Sequence, residues 1–343
     1  MDRALTRAVP AGLLATALAA VAGGAALAAV GVPAGWLSGA MLGVAAAAAL
    51  GAAAPLPKPA QRLTVLLAGV GMGSGLTPGT LHTLARYPLS LAVLAVAIAG
   101  MTAASYAVLT RSGGFSRATA LYSAVPGALS YVFIVAAGSG ADLARVAVIQ
   151  VFRLFVLMAI VPVIARIGVG APAVRFAVDP IGMTAALLAL AALAGFAMEA
   201  LGMANGGLYA AIVVSAVAHG AGFAPGRLAP DVQIAAQTLV GAWVGARFIG
   251  FDWRLLRRLI PAAATSFLAA FAVAAAFAGL AALLVGASFA DALAAFAPGG
   301  LEAMTMMAFA LGLDPLFVGA HHLARFLFIS LTLPFVARRF GRE

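Results

Sequence analysis

Apolar stretches long enough to cross a lipid bilayer recur along almost the whole chain. The 343-residue sequence is 64% hydrophobic and only 9% charged, and it contains no polar block long enough for a separate soluble domain. Soluble globular proteins are far less apolar. Because a helix satisfies its own backbone hydrogen bonds in lipid, the sequence predicts an all-α polytopic membrane protein whose main partner is the lipid bilayer.

The basic residues form short clusters between the apolar stretches. The formal net charge is +10, but the clusters at residues 254–258 and 338–339 are short. Cytoplasmic loops rich in Arg give this pattern, so we expect no nucleic-acid partner. The first apolar run follows Arg3 and Arg7 and is too long for a typical signal peptide, so we interpret it as a transmembrane helix. With no Cys in the sequence, disulfides and thiolate chemistry are excluded.

The sequence contains one unit twice. Residues 116–166 align with residues 288–338 without a gap, at an offset of 172 residues. This offset superimposes Pro126 on Pro298, Gly127 on Gly299, Asp142 on Asp314, Arg153 on Arg325 and Pro162 on Pro334. We therefore predict two homologous membrane repeats, residues 1–171 and 172–343.

Each repeat is predicted to hold five transmembrane helices and one interrupted apolar segment. The predicted helices are 9–31, 35–54, 62–79, 87–110 and 141–166 in the first repeat, and 180–202, 206–224, 231–249, 260–285 and 315–337 in the second. The interrupted segments, 115–138 and 287–311, break at Pro126-Gly127 and at Pro298-Gly299-Gly300. Such a break is expected only where it is buried in protein or lines a cavity.

The interrupted segments could either cross the bilayer or turn back as re-entrant hairpins. With a crossing, each repeat would have six spans, and the arginines at 247, 254, 257 and 258 would lie outside. With hairpins, each repeat would have five spans, and these arginines would lie on the cytoplasmic side, where they are favoured. We favour the hairpins. An odd number of spans would invert the second repeat relative to the first, as in many secondary transporters.

Two arginines lie near the middle of the predicted closing helices. Arg153 and Arg325 are ten to thirteen residues from either end of their helices. At about 1.5 Å per residue, that is roughly 15–20 Å from either boundary, too far for the side chain to reach water. Each guanidinium therefore needs an internal partner. The partner could be structural, namely helix-end carbonyls or an acidic side chain. Alternatively, it could be a substrate or an ion.

Glu302 follows the second break by two residues, and its counterpart in the first repeat is Ser130. Glu302 could cap the half-helix that begins there, or it could bind a coupling proton or Na⁺, because a buried carboxyl readily changes its protonation state. The half-helices after both breaks would point positive dipole ends inward. With two arginines nearby, such a site favours an anion.

Other polar residues have simpler interpretations. Asp142 and Asp314 are predicted to cap the closing helices. His321 and His322 are adjacent on a helix and point about 100° apart, without a third ligand at useful spacing, so we expect no metal site. The pairs Gly69/Gly73 and Gly241/Gly245 are typical of close helix packing rather than of a phosphate loop.

The duplicated unit resembles the AbrB family of bacterial membrane proteins. The resemblance rests on "VPGALS" and "APGGLEAM", followed by the pair Gln150 and Arg153 in one repeat and His322 and Arg325 in the other, and it covers nearly the whole chain. It implies a membrane protein linked to the regulation of gene expression and grouped with cation/proton antiporter and anion transporter folds. It does not imply the small DNA-binding regulator of the same name. The family usually has an acid after both breaks, and Ser130 departs from that pattern.

Members of the family are also catalogued as ammonia monooxygenases, but these residues show neither a His-rich cluster nor a nucleotide-binding fingerprint. We therefore expect no enzyme activity and no cofactor. The predicted function is secondary transport of a small organic anion across the bacterial inner membrane, with H⁺ or Na⁺ coupling through Glu302 as an option. A membrane regulator or sensor that binds the same ligand is the alternative, and a homo-oligomer remains open. The expected substrate-binding residues are Arg153, Arg325, Gly127, Gly299, Gly300, Ser130, Gln150 and His322.

Overall fold

The protein is all-helical in the part that the structure, a computed structural model, describes: residues 2–76, 87–127, 129–137, 139–168, 177–203 and 205–340. Within these residues the chain forms fourteen α-helices and no β-strand. An isolated β-bridge pairs Val178 with Arg227. The predicted all-α class is confirmed.

The helices follow the predicted order. The first half forms α1 (Asp2–Ala29), α2 (Gly35–Ala49), α3 (Lys58–Gly73), α4 (Tyr87–Arg111), α5 (Arg117–Ala124), α6 (Leu129–Ala136) and α7 (Leu143–Gly168). The second half forms α8 (Ile181–Ala200), α9 (Gly206–Gly220), α10 (Pro230–Gly245), α11 (Trp253–Val285), α12 (Phe289–Phe296), α13 (Leu301–Ala310) and α14 (Pro315–Phe340).

One predicted boundary was wrong by about two turns. The sequence suggested a helix from residue 260, next to Pro261, but α11 already begins at Trp253. The Asp252 carboxylate accepts hydrogen bonds from the backbone N–H groups of Arg254 (2.9 Å) and Leu255 (3.0 Å). This side-chain cap satisfies two of the unpaired amides of the first turn, so the helix starts there and continues through the proline.

Six helices among the described residues are long and apolar enough to cross a membrane, namely α1, α4, α7, α8, α11 and α14. This number is consistent with a polytopic membrane protein. The predicted spans α2, α3, α9 and α10 have 15 or 16 residues. They are shorter than the roughly 20 residues of a typical transmembrane helix.

Both interrupted segments break at the predicted motifs. Between α5 and α6 lie Pro126 and Gly127, and between α12 and α13 lie Pro298 and the glycines that follow it. Gly127 has a φ of +89°, a backbone conformation that side chains with a Cβ rarely adopt. Glycine is therefore required at the first break.

The chain divides into two compact units, and each takes parts of both sequence halves. The first unit comprises residues 1–84, 162–251 and 305–316, and the second comprises residues 85–161, 252–304 and 317–343. The predicted repeats therefore do not correspond to separate compact bodies. The repeat boundary near residue 171 stays a prediction from the sequence.

In the first unit, glycines allow α3 and α9 to pack closely. A Cβ added to Gly69 would lie 3.0 Å from the Leu208 carbonyl oxygen, and one added to Gly73 would lie 2.6 Å from the Ile212 carbonyl oxygen. The predicted packing role of this glycine pair is confirmed. Because residue numbers rise together along the contact, the two helices run parallel.

The helices α2 and α10 of the first unit pack in the same way. A Cβ added to Gly241 would lie 2.3 Å from the Leu37 carbonyl oxygen, and one added to Gly245 would lie 2.6 Å from the Met41 carbonyl oxygen. Neither position could hold a larger residue without moving backbone. This pair is also parallel, which confirms the packing role of the second glycine pair.

In the second unit, α5 lies along α7. The Asp142 N–H donates to the Thr119 hydroxyl (3.0 Å), and the Gln150 side chain donates to the Tyr122 carbonyl (2.8 Å). The contacts advance in the same direction along both segments, so α5 and α7 run parallel. An apolar cluster that includes Ala120 and Ile149 holds this arrangement together.

Candidate functional site

The site is in the second unit, where both helix breaks and both mid-helix arginines lie. Arg153 of α7 is 5% exposed. Its guanidinium donates to the carbonyl of Val125 (2.8 Å) and to that of Ser123 (3.4 Å), at the end of α5. The last carbonyls of a helix have no partner within the helix and carry its negative dipole end. Arg153 therefore stabilises the first break by satisfying these carbonyls.

Arg325 of α14 binds the carbonyls of the second break in the same way. It is 2% exposed, and it donates to the carbonyls of Ala297 (2.6 Å) and Gly299 (2.9 Å). The structural tie to helix-end carbonyls, one of the two roles suggested by the sequence, is thus present at both arginines. A tie of this kind leaves the second role, binding of a ligand, untested.

Gln150 and His322 occupy the same position in the two halves and make the same bond. Gln150 donates to the Tyr122 carbonyl (2.8 Å), and His322 Nε2 lies 2.9 Å from the carbonyl of Ala294. His322 Nδ1 is in turn hydrogen-bonded to the Arg325 guanidinium. A carbonyl can only accept and a guanidinium can only donate, so Nε2 carries the proton and His322 is neutral.

The two breaks meet. A Cβ added to Gly127 would lie 3.3 Å from the Gly299 carbonyl oxygen and 3.6 Å from Arg325 Nε. On the other side, a Cβ added to Gly300 would lie 3.9 Å from the Leu154 side chain of α7. The structure therefore brings together predicted site residues that are far apart in the sequence, from both halves of the chain.

The charge of this site is positive. Arg153 binds the carbonyl of Val125, and Arg325 Nε lies 3.6 Å from the Cβ position of Gly127, two residues further along the same break. Neither forms an ion pair with any carboxylate whose side chain the structure describes. Two buried guanidinium groups thus lie where the breaks meet, bound to carbonyls and without an ion pair to a described carboxylate.

Ser130 and Glu302 occupy equivalent positions after the breaks. Ser130 lies in the first turn of α6 and Glu302 in the first turn of α13, as the sequence predicted. Their side chains lie outside the described residues. The cap role and the ion-coupling role of Glu302 therefore both stay predictions.

The predicted caps of the closing helices are confirmed. The Asp142 carboxylate accepts from the Arg145 N–H (3.1 Å), and the Asp314 carboxylate accepts from the Leu316 N–H (3.0 Å).

Asp314 also lies near Arg227, a residue of the first unit in the loop before α10. Burial lowers the pKa of Arg227 to about 10, and the Asp314 charge acts in the opposite direction.

His321 points to different partners from its neighbour His322. Its Nδ1 lies 2.8 Å from the Phe317 carbonyl oxygen and its Nε2 lies 2.9 Å from the Ser90 hydroxyl. The ring packs on that of Phe317, with 4.1 Å between the ring centroids. His321 thus joins α14 to α4, and the two adjacent histidines are held in separate environments.

Comparison with known proteins supports the family that the motifs suggested. The model of the family AbrB, described as "Transition state regulatory protein AbrB", matches residues 36–341. The chain belongs to the AbrB family. An Escherichia coli (strain K12) protein, whose name describes it as a candidate regulator, AbrB, is 26% identical over 298 residues, which are 84% of each chain. No solved structure matches.

Two polar features of this AbrB-family protein were missed in the sequence. The Ser123 hydroxyl, next to the first break, is fully buried and has no hydrogen-bond partner among the described residues. In the first unit, His219 Nε2 lies 3.0 Å from the Asp179 carboxylate, and both residues are 2% exposed. Since 40 residues separate these two, no spacing rule could have paired them.

Proposed function

We propose that this protein is a secondary-transporter-like protein of the bacterial inner membrane that binds a small organic anion at the two helix breaks. The observation that carries the proposal is the pair of buried arginines, Arg153 and Arg325, without a described carboxylate partner. A buried Arg in a membrane costs about 2.5–3.5 kcal/mol on insertion scales, and two cost more. An anion between them would offset this cost.

The helix ends at the site favour the same ligand. The half-helices α6 and α13 both begin at a break, at Leu129 and Leu301. Helix N-termini attract negative charge through unpaired N–H groups and the helix dipole. The negative ends of α5 and α12 are meanwhile neutralised by the arginines. The site therefore combines positive side chains with positive helix ends, which suits a carboxylate.

The parallel packing in the first unit supports the hairpin interpretation of the broken segments. From α3 to α9 the chain passes through α4, the broken segment, α7 and α8. Two parallel spans must have an odd number of crossings between them. If α4, α7 and α8 each cross once, the parallel pair requires that the broken segment does not cross. Between the parallel helices α2 and α10 the spans α3, α4, α7, α8 and α9 make five crossings, which leads to the same conclusion.

A second, independent support comes from the first broken segment itself. Thr119 lies near the start of α5, and Asp142, only a few residues beyond α6, donates its N–H to the Thr119 hydroxyl. If α6 continued in the direction of α5, its end would lie roughly 25 Å from Thr119 at 1.5 Å per helical residue. Fully extended, residues 137–142 would reach about 20–22 Å, which is short of that distance. A hairpin returns the chain without strain.

We further propose that the two halves are inverted repeats of five spans each. The equivalent bonds of Arg153 and Arg325, and of Gln150 and His322, support a duplicated unit. In transporters built from inverted repeats, discontinuous helices meet near the middle of the membrane and form the substrate site. Glu302, at the start of α13, would then bind the coupling proton or Na⁺.

A regulator that binds the ligand without moving it is the second candidate. The observation that favours it is the name of the Escherichia coli relative and the description of the family. The same positive site would serve such a sensor. Binding is common to both candidates, and only net movement of the anion separates them.

The test uses purified full-length protein and a panel of small mono-, di- and tricarboxylates. Wild type should bind at least one of them, and Arg153→Lys and Arg325→Lys, which keep the charge but lose the forked geometry, should bind it at least about tenfold more weakly. Arg111→Gln, at the exposed end of α4, is the control. Uptake into proteoliposomes would identify transport, and binding without uptake a sensor. If no carboxylate binds, the anion site is wrong.

A further inference from the structure

A pocket of about 460 Å³ in the first unit is separate from the buried arginines. It is formed where four helices end: the start of α3, the end of α8, the start of α9 and the end of α10. Its polar residues are Lys58, Gln61, Arg62, Glu199 and Asn205.

The pocket changes from polar to apolar along its length. Lys58 and Arg62 lie in the first turns of α3, and Val65 and Leu66 continue the wall one turn further along that helix. The lining residues Ala192 and Phe196 of α8 and Leu208 of α9 are also apolar. α8 is one of the helices long enough to cross a membrane. The polar end therefore lies at the helix ends, and the apolar end lies further along α8, toward the middle of a helix long enough to cross a membrane.

The polar end carries a net positive charge. Arg62 forms a long contact with Glu199 (3.8 Å), in which the two side chains are 72% and 42% exposed. Such an exposed pair contributes little to stability. Lys58, the one lysine of the sequence, forms no ion pair with a described carboxylate. Two cations against one anion leave this end able to attract a negative headgroup.

We infer that this pocket binds one anionic phospholipid, with the headgroup phosphate between Lys58 and Arg62 and an acyl chain along Phe196 and Leu208. Trp243, in the last turn of α10, lines the same pocket, and tryptophan is typical of the level where headgroups meet acyl chains. Basic residues beside the membrane attract anionic lipids of the cytoplasmic leaflet. The inference does not depend on the anion proposed for Arg153 and Arg325.

The experiment measures phospholipid retained by the detergent-purified full-length protein by native mass spectrometry, with phosphatidylglycerol and phosphatidylcholine in competition. Wild type should retain phosphatidylglycerol preferentially. Lys58→Gln and Arg62→Gln should each weaken that preference about fivefold, from the contribution of one basic residue near the surface. Glu199→Gln removes the competing carboxylate and keeps an acceptor for the Gly207 N–H, so it should strengthen the preference.

Lys58→Gln and Arg62→Gln should lower the preference for phosphatidylglycerol, whereas Glu199→Gln should raise it. A misfolded variant would not retain more lipid, so a gain excludes a general loss of fold. Arg111→Gln, outside the pocket, controls for net charge and should match wild type. The inference is overturned if Lys58→Gln and Arg62→Gln retain as much phosphatidylglycerol as wild type. It is also overturned if inorganic phosphate displaces the lipid, because the pocket would then take a free anion.

Discussion

The first and second helix breaks hold their backbones in the same way but differ in the side chains around them. At each break an arginine and one further donor, Gln150 or His322, bind carbonyls 26 to 30 residues earlier in the sequence. Around the first break the other polar residues are Ser123 and Ser130; the equivalent positions of the second hold Ala295 and Glu302.

This difference separates what holds the fold from what performs chemistry. A helix break leaves carbonyls without a partner inside the helix. Buried carbonyls need a hydrogen-bond donor, and in both halves an arginine supplies it. Groups that titrate near neutral pH are needed only where protons or ions are bound. Glu302 belongs to the second break, and its equivalent in the first break, Ser130, does not titrate. We therefore expect the pH dependence of anion binding to arise at the second break.

The largest expected effect is loss of an arginine. Arg325→Ala leaves the carbonyls of Ala297 and Gly299 unpaired in a buried site, at about 1–3 kcal/mol for each group. Arg153→Ala should cost less, since one of its two bonds is long (3.4 Å). The free energy of unfolding in mixed micelles would check this order. Equal stability of both variants and wild type would show that the arginines do not hold the breaks.

A smaller loss is expected from Gly127→Ala. The alanine must adopt a φ of +89° with its Cβ 3.3 Å from the Gly299 carbonyl oxygen, so about 1–3 kcal/mol of stability should be lost. Gly300→Ala is the matched control in the second break, because its Cβ would meet only the Leu154 side chain at 3.9 Å. If the two variants lose the same free energy of unfolding, the two breaks do not approach each other as described.

The smallest effect on stability is expected for Glu302→Gln, which keeps the shape and the capping ability of the side chain. If Glu302 couples a proton, this variant should keep anion affinity and lose the dependence of that affinity on pH. The matched change in the first break, Ser130→Ala, should leave the pH dependence intact. The measurement is anion affinity against pH for the three proteins. Parallel curves for wild type and Glu302→Gln would leave Glu302 without a coupling role.

Much of the fold could be predicted because membrane helices are specified locally. Apolar length predicted the long helices, and the Pro-Gly pairs predicted both breaks, since proline and glycine act on their own backbone. The distance of Arg153 and Arg325 from the helix ends predicted that each needs an internal partner. The glycine pairs predicted close packing for the same local reason.

The rest depends on contacts between distant segments. The two compact units each draw on both halves of the chain, which no local pattern encodes. The buried pair of Asp179 and His219 arises because the residues before α8 meet the end of α9. The Ser123 hydroxyl, which has no hydrogen-bond partner among the described residues, gave no signal, since its counterpart Ala295 is apolar and the repeat pattern hides it.

In the proposed topology both broken segments turn back, so that inverted halves bring the two breaks together. Because the chain has no Cys, single cysteines can be labelled from either side of the membrane without background. Ser112→Cys and Ala144→Cys flank the first broken segment, and Ala287→Cys and Leu311→Cys flank the second. With two hairpins, both members of the first pair should be labelled from the cytoplasmic side and both members of the second pair from the opposite side. Members of one pair that label from opposite sides would contradict this topology.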